Sequence, residues 1–238
     1  MPVRVVLVRP EHAVNVGAAA RLARNTDVEG LDLVAPGDWR TIDCWRTAWG
    51  AHELLEEACV HATLAEALQA CHLVVGLSRR DATGAAVDVR AVAAEAAAAA
   101  AAGTVALVFG PETSGLTSDE LALCGRTAFI PSDPAQPSFN LSHAVGIVAY
   151  EVYRARASAA PGVRLANHAE KEEVLALMLG GMRRLGALAP ARHPVYERLW
   201  RGLIQRMDLT PREARMLAHL ARRMGAGRQS TSAAPRPS

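Results

Sequence analysis

The stretch TVALVFGPETSGLTSDELALCGRTAFIP (104–131) decides the fold class, because it places two candidate strands on either side of a short candidate helix. The apolar ends, 104–110 and 127–131, are typical of buried β-strands. Between them, TSDELALC (117–124) begins with a Thr/Ser cap and an acidic first turn, as helices do. A strand, a helix and a second strand in this order favour parallel strands.

The same alternation continues towards the N-terminus. Apolar strand patterns are found at 3–8, 31–36 and 72–78, and helical patterns at 15–25, 64–71 and about 90–102. The run of alanines at 96–102 is assigned to a helix because alanine is the best helix former. We therefore predict an α/β fold for residues 1–160, with a parallel sheet flanked by helices on both faces.

A different pattern begins after the Pro161-Gly162 pair, which we take as a domain boundary. Apolar residues then recur at helical spacing, so that residues 165–225 are predicted to form a helical extension. The last residues, 226–238, are small, polar and contain prolines, and they are predicted to be a disordered tail.

Charge is distributed unevenly along the 238 residues, although the net charge is only +2. From Gly181 onward, twelve arginines face three acidic residues, which amounts to a charge of +9 and leaves −7 for residues 1–180. A basic segment joined to an acidic body is typical of proteins that bind a polyanion. The alternative is a solvated helix face that happens to be rich in arginine.

Other composition features exclude several protein classes. No apolar run reaches the roughly 18 residues that a membrane span requires, and the N-terminal residues do not resemble a signal peptide. The four cysteines form no CxxC pair, which favours reduced thiols in a cytoplasmic protein over disulfides or a zinc site. We therefore predict no metal site and no membrane contact.

The loop after the first strand, RPEHAVNVGAAARLARN (9–25), carries the first candidate functional residues. Gly17 stands inside a helix start, where alanine would be more favourable by about 1 kcal/mol. We expect that cost to reflect the close approach of a ligand or of another chain. Taken singly, Asn15 is explained as a helix cap and Arg21 as a solvated charge.

A second unusual loop, VFGPETSGL (108–116), follows the strand at 104–110. Gly110 and Gly115 bracket Glu112 at the carboxyl end of that strand, where open α/β sheets bind their ligands. The loop is neither a Walker loop nor a GxGxxG fingerprint. The alternative is that both glycines serve only a turn.

The third loop, PSFNLSHAV (137–145), opens the apolar helical run that follows. Either Ser138 or Asn140 is sufficient to cap this helix. The remaining short polar side chains lower helix propensity in the first turn. Their surplus suggests a ligand at the helix N-terminus, where unpaired N–H groups are available. Ser142 is expected only to pack locally.

Three segments, in this order, resemble the motifs of the SpoU/TrmH-type RNA ribose methyltransferases of the SPOUT superfamily: NVGAAARLARN (15–25), LVFGPETSGLTSDEL (107–121) and IPSDPAQPSFNLSHAVGIVAYEV (130–152). WRTAWGAHELLEEACV (45–60) and LVVGLSRR (73–80) resemble the TrmJ branch of that family. The resemblance covers about residues 3–157 and continues weakly through the C-terminal helices. Two departures are mild, Phe139 in place of the usual leucine and His143 in place of a small or amide residue.

The resemblance implies a deep trefoil knot, an exception to the usual absence of knots. It also implies a homodimer in which the partner chain completes each site, with Gly17 and the helix at 138–157 in the interface. The implied cofactor is S-adenosylmethionine, bound largely by backbone groups. By motif position, the cofactor-binding residues are Leu77, Ser78, Arg79, Phe109, Gly110, Glu112, Gly115, Ile130, Pro137, Ser138, Phe139 and Asn140.

The resemblance also implies the reaction, transfer of a methyl group to a ribose 2′-OH in the tRNA anticodon loop, at position 32. Ribosomal RNA is an alternative substrate, and a non-catalytic knotted RNA-binding factor is an alternative function. The principal catalytic residue is expected to be Arg21, surrounded by Asn15, Glu112, Ser138 and Asn140. Because an arginine stays protonated in proteins, we expect Arg21 to hold RNA and stabilise developing negative charge rather than act as a base. Glu112 is expected to orient Arg21 or Asn15, and Asn140 to reach Arg21 or the ribose.

Overall fold

A computed structural model describes residues 2–78, 86–156, 164–188 and 193–224. Within these ranges the chain forms one sheet of seven strands and ten helices. The strands are β1 (Val3–Val8), β2 (Gly30–Val34), β3 (Cys59–His61), β4 (Leu73–Leu77), β5 (Val87–Asp88), β6 (Val105–Phe109) and β7 (Arg126–Phe129).

The sheet has the order β3-β2-β1-β6-β4-β7-β5, and all its pairs are parallel. β1 and β6 lie at its centre and are almost fully buried, which explains their nearly continuous apolar sequences. β7 lies between β4 and β5, two strands that precede it in the chain. The carboxyl ends of all strands therefore meet at one edge of the sheet.

Helices cover both faces of the sheet, as predicted. The helices of the body are α1 (Ala13–Asn25), α2 (Ile42–Thr47), α3 (His52–Glu56), α4 (Leu64–Leu68), α5 (Val89–Ala100), α6 (Ser118–Ala122) and α7 (Leu141–Arg156). Residues of α1, α2, α3, α5 and α7 form the larger apolar cluster with one face of the sheet. Those of α4 pack on the other face. The expected cap of α6 is present, with a capping box between Thr117 and Glu120.

The predicted elements agree with the structure except at their ends, and four elements were not predicted. The last strand ends at Phe129, although the pattern suggested 127–131. The missed elements, β3, β5, α2 and α3, have between two and six residues. Elements this short carry no measurable periodicity, because the missed helices complete fewer than two turns and the missed strands fewer than two repeats of the two-residue strand period.

The structure explains the glycine at position 17 differently from the sequence analysis. A Cβ atom on Gly17 would lie 2.0 Å from the carbonyl oxygen of Cys44 and 2.3 Å from Oγ1 of Thr47. The glycine therefore permits α1 to contact α2 of the same chain, and the expectation of a ligand or a second chain at this position is wrong.

Helix α7 packs within its own chain as well, between α1 and α5. Its buried side includes Val145, Val148 and Val152. The opposite side exposes His143, Tyr150 and Tyr153. Only this second side of α7 is available to another chain.

Three further helices occupy the segment predicted to be helical: α8 (His168–Arg184), α9 (His193–Arg206) and α10 (Pro211–Arg223). They share an apolar cluster of their own, which includes Leu175, Ile204 and Ala218. The predicted boundary at 157–163 and the tail at 226–238 lie outside the described residues, so the proposed domain limits remain predictions.

All four cysteines are free thiols; Cys59 is exposed and the others are buried. In the described ranges, no helix has the length and apolar character to cross a membrane. Nor do the His, Cys, Asp and Glu side chains of those ranges form a group of three that could hold a metal ion.

Candidate active site

A cavity opens at the carboxyl edge of the sheet, where the chain leaves β4, β6 and β7 and enters α7. It encloses about 580 Å³, part of which is open to solvent. The lining residues are Leu77, Ser78, Phe109, Gly110, Pro111, Glu112, Gly115, Ile130, Pro137, Ser138, Phe139, Leu141 and Ala144.

Ten of the twelve residues assigned to cofactor binding by motif position line this cavity. Arg79 lies outside the described residues. Asn140 is absent from the lining, but it follows Phe139, which belongs to it. Residues separated by more than 60 positions are thus brought to one place because parallel strands end at the same edge of the sheet.

Gly110 and Gly115 close the loop after β6. A Cβ atom on Gly110 would lie 2.3 Å from the carbonyl carbon of Gly115, which no side chain can tolerate. Gly115 has φ +69°, in the left-handed region that favours glycine, and its N–H donates to the oxygen of Pro111 at 2.8 Å. The turn interpretation is therefore correct for the backbone, and the turn directs Glu112 towards the rim of the cavity.

A chain of hydrogen bonds joins the three loops at this rim. Asn15 donates from Nδ2 to Oε1 of Glu112 at 2.7 Å. Asn140 donates from Nδ2 to Oδ1 of Asn15 at 3.0 Å. Oδ1 of Asn140 in turn accepts from the backbone N–H and the hydroxyl of Ser142, at 2.9 and 2.8 Å. Each amide is therefore held in one orientation by its neighbours.

This network assigns several roles that the sequence left open. Glu112 orients Asn15 and not Arg21, and Asn140 reaches Asn15. Asn140, rather than Ser138, caps α7 through the N–H of Ser142. Ser142 makes a local contact, in which its N–H and hydroxyl both donate to Oδ1 of Asn140, two residues before it.

Glu112 is held as a carboxylate. Burial acts to raise its pKa, but hydrogen bonds from Asn15 and from the backbone N–H groups of Glu11, Glu112 and His12 outweigh that effect and lower it. The bond from Glu11 N to Oε2 measures 2.9 Å. With its pKa lowered, Glu112 remains ionised at neutral pH and is a poor proton acceptor.

Sequence reasoning missed the contacts that hold the first loop to the second. Oε1 of Glu11 accepts a hydrogen bond from the hydroxyl of Thr113. Arg9 forms an ion pair with Glu120 at the start of α6. Arg9 adopts φ +46°, which is unusual for a residue with a side chain. Such backbone strain is typical of functional sites. The partner of Arg9, however, can be identified only in the folded chain.

Two predicted catalytic residues stand apart from the network. Ser138 lines the cavity, and its hydroxyl has no hydrogen-bond partner among the residues that the structure describes. Arg21 is exposed on α1, outside the cavity lining, and makes no hydrogen bond or ion pair with any described residue. It lies six residues beyond Asn15, which corresponds to about 9 Å along the helix and about 120° around it.

The chain resembles known proteins over most of its length. The model of the SpoU rRNA Methylase family matches residues 2–150. A curated relative, the tRNA (cytidine/uridine/adenosine-2′-O-)-methyltransferase TrmJ of Pseudomonas aeruginosa (strain UCBPP-PA14), is 42% identical over 153 residues, 63% of this chain and 60% of the relative. The tRNA (cytidine/uridine-2′-O-)-methyltransferase TrmJ of Salmonella typhimurium (strain LT2) is 38% identical over 170 residues, 71% of this chain and 70% of that protein. The matched part therefore spans about 60 to 70% of the length of these relatives.

Among solved structures, that of TrmJ from Z. mobilis ZM4 superposes with a TM-score of 0.77 at 31% identity, covering 93% of this chain and 97% of that one. This likeness confirms the predicted α/β fold and extends through the C-terminal helices. The family model covers well over half of the chain, and it includes all three loops around the cavity. The chain therefore belongs to the SpoU rRNA methylase family, on its TrmJ branch, and this membership implies the trefoil knot of that fold.

Proposed function

We propose that this chain is a cytoplasmic, S-adenosylmethionine-dependent tRNA ribose 2′-O-methyltransferase that acts as a homodimer. One observation carries the proposal: the second and third motif loops line a single cavity, and Asn15 of the first loop forms a hydrogen-bonded chain with Glu112 and Asn140 at its rim. The names of the curated relatives, which are tRNA 2′-O-methyltransferases, support the same reaction and substrate.

The cavity suits S-adenosylmethionine by its mixed apolar and polar lining. Leu77, Phe109 and Ile130 offer apolar surface for a flat base, while Ser138 contributes a hydroxyl without a described partner. Further polar contacts are assigned to backbone groups of the segments that line the cavity. When bound, S-adenosylmethionine supplies an electrophilic methyl group on a sulfonium ion.

The residues of this chain contribute mainly position, which can supply several kcal/mol of barrier reduction. Glu112 stays ionised and holds the amide of Asn15, and Asn140 supports Asn15 from the other side. A protonated Arg21 clamps an RNA phosphate and stabilises negative charge as it develops on the ribose oxygen. Arg21 does not take up the proton, since a guanidinium has no acceptor.

We assign Arg21 to the cavity of the partner chain. In its own chain, Arg21 points about 120° away from Asn15 around α1 and touches no described polar group. Phe139, which precedes α7 and lines the cavity, is exposed. The exposed side of α7 continues from it through His143 to Tyr150 and Tyr153. A twofold contact through this side would bring α1 of one chain towards the cavity of the other.

The first test replaces Arg21 with alanine. We expect methyl transfer to tRNA to be lost while the affinity for S-adenosylmethionine, measured by calorimetry, is retained. Unchanged turnover would contradict the role of Arg21. A wild-type chain that binds no S-adenosylmethionine would instead favour the non-catalytic RNA-binding factor.

The second test mixes two inactive chains, Arg21→Ala and a cavity variant such as Gly110→Val, under conditions that exchange subunits. If Arg21 acts on the partner's cavity, each mixed dimer has one intact site, and activity recovers to about a quarter of the wild-type value. If Arg21 acts within its own chain, both sites of the mixed dimer are defective and no activity returns. A monomeric wild-type chain in analytical ultracentrifugation would contradict the homodimer.

Within the proposed class, the target is the ribose at position 32 of the tRNA anticodon loop. Ribosomal RNA is the alternative substrate, and the names of the curated relatives favour tRNA. Mapping of 2′-O-methyl groups in RNA from a deletion strain tests this choice directly. Loss of a methyl group from tRNA position 32 is expected, whereas loss confined to ribosomal RNA would contradict it.

The arginine-rich extension provides phosphate contacts that position tRNA without reading sequence. Arg212, Arg215 and Arg223 are exposed and have no ion-pair partner among the described residues. They lie within about 80° of one another around α10. Arg222 on the same helix is already paired with Glu173 at 2.6 Å.

This difference within α10 allows a matched test. Substitution of Arg212 or Arg215 by glutamine should lower tRNA affinity and reduce the salt dependence of binding by about one counterion each. Arg222→Gln is the control and should have a smaller effect, because its charge is already neutralised. If the salt dependence of tRNA binding had the same slope in all variants, α8 to α10 would only extend the dimer interface.

A further inference from the structure

Arg126, the first residue of β7, joins the body of the protein to the C-terminal helices. Its Nη2 donates to both carboxylate oxygens of Asp208, at 2.9 and 3.0 Å, and its Nη1 donates to the carbonyl oxygen of Arg206 at 2.8 Å. On the side of the body, Nε donates to Oε2 of Glu95 in α5 at 3.0 Å, and Nη2 lies 2.6 Å from Oε1 of the same carboxylate. All three guanidinium nitrogens are used, and the side chain is only 19% exposed.

The contact around Arg126 is tight and does not consist of side chains alone. A Cβ atom on Gly125 would lie 2.5 Å from the carbonyl oxygen of Gln205, so that the backbones of α9 and of the β7 start nearly touch. A second contact lies beside it, where the N–H of His168 donates to the oxygen of Cys71 at 2.6 Å. The extension is therefore seated at the starts of β4 and β7.

These two strands also end at the cavity. β4 and β7 are neighbours in the sheet. The cavity is lined at their carboxyl ends by Leu77, the last residue of β4, by Ser78 after it and by Ile130 after β7. A strand of five residues is about 17 Å long. The extension thus holds one end of the two strands whose other end forms part of the site.

We propose that Arg126 is a positioning residue, which fixes the orientation of the arginine-rich extension, and hence of the tRNA bound to it, relative to the cavity. This inference rests on the proposed function, because it requires that the extension contacts tRNA. Arginine is suited to the role since its planar fork contacts a carboxylate, a carbonyl oxygen and a second carboxylate at once, which an ammonium cannot do in one geometry. A misplacement of about 1 Å is sufficient to reduce a methyl-transfer rate by up to about 100-fold.

Three variants of the full-length chain separate positioning from general stability. Asp208→Asn removes the charge that Arg126 bridges to the extension, and Asp208→Glu restores a carboxylate. Glu95→Gln is the matched control, because it weakens the contact of Arg126 within the body and leaves the contact to Asp208. The measurements are the methyl-transfer rate at saturating tRNA, the tRNA affinity, the cofactor affinity and the melting temperature.

We expect Asp208→Asn to lower the rate at saturating tRNA by about tenfold, with both affinities and the melting temperature unchanged. Asp208→Glu should recover most of that rate, and Glu95→Gln should keep it. The inference is overturned by a wild-type rate for Asp208→Asn, by an equal loss for Glu95→Gln, or by a rate loss that is matched by lower tRNA affinity or melting temperature. A wild-type chain that transfers no methyl group to tRNA would overturn the proposed function itself.

Discussion

The carboxyl and amino ends of the strands differ in how the polar groups beside them are satisfied. At the carboxyl end, Glu112 accepts hydrogen bonds from Asn15 and from the backbone N–H of Glu11. At the amino end, Lys171 is 4% exposed and donates to the carbonyl oxygen of Gln205 at 3.2 Å. Beside it, the buried ring of His168 has no hydrogen-bond partner for either nitrogen among the described residues.

The pKa values follow this difference. The donors around Glu112 outweigh its burial and lower its pKa, so that the negative charge at the site is stable. Burial lowers the pKa of Lys171 to about 8 and lowers that of His168 as well, so that a proton on either of these two side chains is costly. The site therefore holds its polar side chains in fixed orientations, whereas the junction with the C-terminal helices is where pH affects stability.

The largest effect is expected for Gly110→Ala at the carboxyl end. Its Cβ would meet the backbone at Gly115 and Leu116, 2.3 Å away, and overpacking of this kind costs about 1–3 kcal/mol. We expect a roughly 100-fold loss of S-adenosylmethionine affinity by calorimetry. Gly37→Ala is the control, because its Cβ would meet nothing within 4 Å. If Gly110→Ala kept its full affinity for S-adenosylmethionine, the loop at 110–116 would be able to move aside for the added methyl group.

Gly125→Ala makes the equivalent change at the amino end. Its Cβ would lie 2.5 Å from the oxygen of Gln205, and we expect about 2 kcal/mol of lost stability in the contact between α9 and the body. Hydrogen exchange should increase in α9 and leave the loop at 110–116 protected. Faster exchange in that loop instead would remove the distinction between the two ends.

Glu112→Gln tests whether the site depends on a charged acceptor. Glutamine offers one acceptor oxygen, so that either Asn15 or the N–H of Glu11 loses its partner. We expect the methyl-transfer rate at saturating S-adenosylmethionine to fall by about tenfold. Thr113→Val, which removes a hydroxyl bound to Glu11, serves as a milder comparison at the same loop. An unchanged rate in Glu112→Gln would mean that orientation of Asn15 does not need the carboxylate.

The smallest effect concerns Lys171, which is surrounded by Asp208, Arg126 and Glu95. Because its pKa is lowered to about 8, the unfolded chain binds more protons than the folded chain above that pH, and stability rises. Between pH 8 and 9 we expect a gain of about 1 kcal/mol. Lys171→Met should abolish this gain in denaturant titrations at the two pH values. A gain that persists in the variant would place its origin elsewhere.

His168 makes the stability of the folded chain depend on pH in the acid range. Burial lowers the pKa of His168, although the charge of Glu172 acts against it, so that the folded chain resists protonation below the ordinary histidine pKa of about 6.5. Loss of stability is therefore expected as the pH falls below that value. Glu112 adds a further loss only at lower pH, since its pKa lies below the ordinary range for a carboxyl.

The α/β architecture and the three loops of the site could be predicted from the sequence. Strand and helix patterns are local, and a chain that alternates them has few topologies other than a parallel sheet with covered faces. The loops at 9–25, 108–116 and 137–145 each follow a predicted strand, so their meeting at one edge was a consequence of that architecture. The motif segments at 107–121 and 130–152, together with the segment at 73–80, contain ten predicted residues that line one cavity.

The partners of individual side chains, in contrast, are visible only in the folded chain. Asn15 meets Glu112 across 97 residues and Asn140 across 125, and Arg126 meets Asp208 across 82. Gly17 proved to face Cys44 of its own chain, and Ser142 proved to hold Asn140. Hydrophobic periodicity reports which face of an element is buried, but a hydrogen bond depends on distances of a few tenths of an ångström between elements. Those distances exist only once the sheet, its helices and the C-terminal extension have packed together.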